Sequence, residues 1–158
     1  MPLEAFDWVC PDIARAETQV CTVPAPGLPG VPPGNYVLRE FYCTEPECDC
    51  RRLLVQFLPL RGRTKIAASI NYGWEKPSFY EGWSGDARMS REMARATLEP
   101  LADQGPHARR FLQLFEQAIK NPAVVERFRG HYRMVKAALK SAPARGASVP
   151  AQAIRRAP

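Results

Sequence analysis

Apolar and polar positions change their spacing partway along this chain, and the change predicts an α+β architecture. Residues 18–23 are rich in β-branched side chains and read as a first strand. Residues 36–42 and 53–58 read as two more, and in residues 65–72 Ile66, Ala68, Ile70 and Tyr72 alternate with Lys65, Ser69 and Asn71, as a half-buried strand does. Short connections, including a turn at Leu60-Arg61-Gly62-Arg63, make neighbouring strands antiparallel. The expected sheet is therefore a small antiparallel meander of about four strands.

From residue 87 onward the period becomes helical. Met89 and Met93 share one side of a helix over 87–96, with Leu98 and Leu101 continuing the apolar contact. Residues 107–120 place Phe111, Leu112, Phe115, Ala118 and Ile119 at spacings of three and four. Asn121-Pro122 then supplies a cap and a first-turn proline for a last helix, whose buried stripe is Val124, Val125, Phe128, Tyr132, Val135 and Leu139. Proline at position 11 can start a short helix over 11–17, whereas residues 24–34 carry five prolines and three glycines and must form a loop. Residues 72–83 pack five aromatics into one short segment, suited to plugging an open edge of the core or to lining a groove.

The chain of 158 residues fits one domain, with 46% hydrophobic residues to fill its core. The expected organisation is a domain over 1–140 followed by a disordered Ala/Pro-rich basic tail over 141–158. No run of about 18 apolar residues is present, and the first residues lack the basic-then-apolar order of a signal peptide, so a cytoplasmic location is expected. Charge is segregated. Residues 1–106 hold 11 Lys/Arg against 14 Asp/Glu, and residues 107–158 hold 11 against Glu116 and Glu126 alone, which is −3 against +9. Arg129, Arg133, Lys136 and Lys140 form a basic stripe along the last helix, either a solvated face or one that meets phosphate.

The candidate chemistry lies in Cys43, Cys48 and Cys50, a C-x4-C-x-C loop between two strands. Thiolates crowded on one turn repel one another, and a soft divalent cation such as Zn2+ relieves that repulsion. Cytoplasmic thiols stay reduced, and an odd total of five cysteines suits a disulfide framework poorly. Glu45, Glu47 and Asp49 raise the thiol pKa values, which favours a metal over a reactive thiol, and the spacing is tight for an iron–sulfur cluster. Three ligands from one loop leave a fourth to be found. His131 on the last helix is the first candidate and Cys21 the alternative, with Cys10 and His107 behind them and a solvent-completed site also open.

The segment FYC…CDCRR, with Ile70-Asn71-Tyr72-Gly73-Trp74 and residues 129–134, resembles a group of uncharacterised bacterial proteins, some of which carry an appended SEC-C metal-binding tail. That resemblance covers roughly residues 10–140 and implies a bacterial cytoplasmic setting and a metal role for Cys43, Cys48 and Cys50. No cysteine-rich tail follows here, and the resemblance implies no activity. With no catalytic constellation in the sequence, the expected function is a zinc-stabilised interaction module with a protein partner, in which metal supplements a small core. The alternative is weak, sequence-independent nucleic-acid binding through Arg129, Arg133, Lys136, Lys140 and the basic tail. A zinc hydrolase ranks last, since three thiolates make zinc a poor Lewis acid.

Overall fold

A computed structural model describes residues 2–61 and 65–141. The turn at 62–63 and the tail at 142–158 lie outside the described residues. One antiparallel sheet carries the fold. It comprises β1 (Leu3–Ala5), β2 (Gln19–Val23), β3 (Gly34–Cys43), β4 (Arg52–Pro59), β5 (Ala68–Gly73) and β6 (Thr97–Leu98) in the order β1-β3-β4-β5-β6, with β2 also on β3. The expected meander is β3-β4-β5, paired Tyr42↔Leu53 and Leu53↔Tyr72 at the end that carries the cysteine loop. Two additional strands escaped the pattern because β1 and β6 are only three and two residues long.

The helices are α1 (Phe6–Val9), α2 (Pro11–Glu17), α3 (Pro77–Ser84), α4 (Ala87–Met93), α5 (Ala108–Ala118) and α6 (Pro122–Ser141). Asn121 caps α6 as its sequence predicts, its side-chain oxygen accepting from the Ala123 amide at 3.0 Å. Helix α4 starts on Asp86, whose carboxylate accepts from the amides of Arg88 and Met89. It stops at Met93, short of the expected residue 96, because the chain turns there to pair Thr97 with Asn71.

Register puts Leu38, Glu40 and Tyr42 of β3, Leu53, Val55 and Phe57 of β4, and Ala68, Ile70 and Tyr72 of β5 on one face. Phe111 and Phe115 of α5 and Phe128 of α6 pack within this layer, with Phe57–Phe111, Tyr72–Phe115 and Phe115–Phe128 centroids 5.2, 5.7 and 5.9 Å apart. The aromatic segment after β5 divides. Trp74 packs edge-on against Tyr132 and Tyr80 is fully buried, as a plug requires, while Trp83 is half exposed.

Gly73 lets α3 and α4 close on the sheet. A Cβ there would collide with the Met93 carbonyl and the Tyr80 hydroxyl. Gly82, inside α3, faces open space. Gly73→Ala is therefore expected to destabilise the protein by about 1–3 kcal/mol through overpacking. Gly82→Ala should stabilise it by up to about 1 kcal/mol through helix propensity. Chemical denaturation of the two variants checks the contrast.

Candidate metal centre

Strand β3 ends at Cys43 and β4 begins at Arg52, so the loop between them must reverse the chain while carrying the other two thiols. The Cys48 amide bonds back to the Glu45 carbonyl at 3.1 Å, closing a turn around Pro46. Arg51 then takes φ 47°, a left-handed conformation uncommon for a residue with a Cβ. Several contacts hold it there. Its carbonyl accepts from the Tyr80 hydroxyl at 3.0 Å, its guanidinium grips Asp49 at 2.8–3.1 Å and reaches Glu75 at 3.4 Å, and it lies 4.6 Å from the Phe79 ring centre.

Helix α6 secures the loop from the other side. The Tyr132 hydroxyl donates toward the Cys48 carbonyl at 3.3 Å and Asp49 at 3.2 Å, and the Lys136 ammonium donates to the Glu45 carbonyl at 2.7 Å. Within this frame the three sulfurs lie within 4.8 Å of one another. All three thiols are free; Cys43 and Cys50 are buried and Cys48 is half-buried on the solvent side.

A tetrahedral ion at about 2.3 Å from each sulfur needs sulfurs about 3.8 Å apart, so the loop has to tighten by about an ångström or less. Burial, followed by the neighbouring Cys48, pushes the Cys50 thiol up to about 12, and burial also raises Cys48. Such thiols are protonated at neutral pH unless a cation replaces the protons. Low-pKa redox cysteines show the reverse.

His131 does not complete this group, and here the sequence expectation is corrected. Its Nδ1 is 2.7 Å from Glu40 Oε2 and its Nε2 is 3.1 Å from Glu17 Oε2, so both ring nitrogens are already engaged. The ring stacks on Phe6, with centroids 4.0 Å apart and planes 14° from parallel. Cys21 is also distant. From β2 it pairs with Tyr36 of β3, seven residues along that strand from Cys43, or about 23 Å. Cys10 caps α2, and His107 sits beside Gly30 ahead of α5. Among the described residues, only Cys43, Cys48 and Cys50 converge as metal donors.

The basic stripe is mostly engaged within the chain. Arg133 pairs with Glu126 at 2.7 Å, and Arg129 lies 3.8 Å from Glu126 and 3.4 Å from the Trp74 carbonyl. Lys136 holds the cysteine loop, and Lys140 is exposed. No described helix is long and apolar enough to cross a membrane. No protein-family model, curated protein or solved structure matches the chain.

The His131 pairing carries a pH dependence. Burial works against the imidazolium, but hydrogen bonds and charge attraction from Glu40 and Glu17 outweigh it and raise the pKa. A folded-state value above the unfolded one, about 6.5, means that this stabilisation is full below about pH 6.5 and disappears as pH rises through the raised value. His131→Gln should cost about 3 kcal/mol at pH 6, the low end for breaking a buried pair because Glu17 is screened by solvent. Denaturation midpoints measured from pH 5.5 to 8.5 should converge for the two proteins as pH rises.

Proposed function

We propose that the protein is a zinc-stabilised interaction module without catalysis, in which Cys43, Cys48 and Cys50 hold one Zn2+ and a solvent or partner donor fills the fourth position. The observation carrying this reading is the convergence of three free sulfurs in a loop gripped by Arg51 and α6. The donor set suits zinc because thiolates are soft and the ion accepts tetrahedral sulfur ligation. Bound there, zinc would fasten the β3–β4 hairpin end to α6 through Tyr132 and Lys136. The solvent-facing Cys48 marks the side from which a fourth donor, or a partner, would approach. A phosphate-reading role draws support from the +9 charge over residues 107–158, but three of the four stripe residues already have partners inside the chain.

Protein purified without affinity metal should contain close to one equivalent of zinc. Cys43→Ser and Cys50→Ser should each lose it, whereas His131→Ala and Cys21→Ser should retain it. A strong chelator should lower Tm by an amount matching about 2.7 kcal/mol if free zinc had stood at a hundred times Kd. A metal-free protein whose melting ignores chelator sinks the proposal. Electrophoretic retardation of DNA or RNA at about 50 mM salt, where phosphate contacts are strongest, would favour the nucleic-acid reading instead.

A further inference from the structure

On one side of β3 the strand pairing is interrupted. Strand β2 pairs with residues 34–38 of β3 and β1 with residues 41–43, which leaves Arg39 and Glu40 without a strand partner on that edge. The α1–α2 segment connects β1 to β2 across this gap. A cavity of about 390 Å³ opens there, with Phe6, Ala14 and Leu38 among its apolar walls and Glu17, Glu40 and His131 among its polar ones. That volume is in the range of small-molecule sites.

Glu40 is the unusual member. It is only 6% exposed, yet it lines the cavity. Its Oε2 is fully used, accepting from the Tyr42 hydroxyl at 2.6 Å and meeting His131 Nδ1 at 2.7 Å. Among the described residues its Oε1 has no hydrogen bond, and it is not among the atoms sealed away from solvent. A carboxylate oxygen oriented by two fixed partners and left free at a cavity wall is a preorganised acceptor.

Charge identifies what it would accept. Two carboxylates face one imidazole, so the cavity is negative whether or not His131 carries a proton. Arg39 offers no compensation, because it pairs with Asp7 at 3.2 Å and lies over Phe41. A metal ion does not suit the arrangement, since the imidazole ring stands between the two carboxylates and the donors do not converge. We propose that this cavity binds a small organic ammonium ion, its charged nitrogen on Glu40 and its hydrocarbon part against Ala14 and Leu38.

The test uses the full, metal-replete chain and n-hexylamine as the probe, with n-hexanol and hexanoate as uncharged and anionic counterparts. Calorimetry should show saturable binding of hexylammonium alone, and NMR should show the His131 ring protons shifting along the same isotherm. Glu40→Gln should weaken binding by about tenfold or more, the effect of losing one charge-assisted hydrogen bond. Because Glu40→Gln also touches the Tyr42 and His131 contacts, Ala14→Leu provides a second arm. It fills the cavity without altering a hydrogen-bonding group and should weaken binding comparably, with thermal melting confirming that the variant is folded. Equal binding of hexanol, absence of saturable binding at millimolar amine, or undiminished binding by folded Ala14→Leu overturns the proposal.

Discussion

Helix α6 reaches the amino-terminal part of the chain through one buried charge arrangement. The imidazole of His131 lies between Glu40 on β3 and Glu17 on α2, with Tyr42 donating to the same Glu40 oxygen. Removing ions from water is costly, and the cost is offset only when every partner is in place. Here the partners come from three elements far apart in sequence, so the interaction forms only when sheet and helices are correctly assembled. It fixes both the axial position and the rotation of α6. The next residue, Tyr132, is thereby turned toward the cysteine loop, and Lys136 one turn later reaches the Glu45 carbonyl. The attachment of α6 to the cysteine loop, though not the convergence of the sulfurs themselves, rests on a charge pair to which the loop contributes no atom.

The same dependence explains which parts could be read from sequence. The β3-β4-β5 meander, α5, α6 and the Asn121 cap were legible because each has a sustained period or a defined local signal. The cysteine cluster was legible because its spacing is local. His131 was misassigned because a histidine beside an apolar stripe reads alike whether its partner is a sulfur or a carboxylate. A signal for the right answer did exist. Glu40 alternates with Leu38 and Tyr42 and so faces the core, and a carboxylate placed there needs a basic or donor partner. The role of Arg51 had no comparable signal, because its left-handed backbone is held by Tyr80 and Glu75, which are distant in sequence.

The protein around the cysteine loop is not a miniature domain that would need a metal to hold it together. Its aromatic layer runs from Tyr36 through Phe57, Tyr72, Phe115 and Phe128 by contacts between rings, and Cys43 and Cys50 are buried in the same core. The sequence led us to expect metal as a supplement to a small core, and the core is larger than that expectation needs. A metal held in the loop would add to the stability of a chain that already has a core, rather than supply all of it. In small zinc modules that lack such a core, the binding free energy is the folding free energy.

What a metal would do here follows from the loop's own electrostatics. Glu45, Glu47 and Asp49 surround three thiols, and of the three only Asp49 forms an ion pair among the described residues, with Arg51. Deprotonating all three thiols without a cation would place three negative charges within 4.8 Å of one another in that acidic setting. Burial, followed by the neighbouring Cys48, already pushes the Cys50 thiol up to about 12, so without a cation that thiol keeps its proton and its sulfur need not approach the others further. A divalent cation reverses that balance, since each sulfur it draws in reduces the repulsion felt by the next. The tightening would pull Cys48 inward, and with it the carbonyl that Tyr132 contacts. Metal occupancy would thus be coupled to the grip of α6 on the hairpin, while the charge pair at His131 holds that helix through atoms outside the loop.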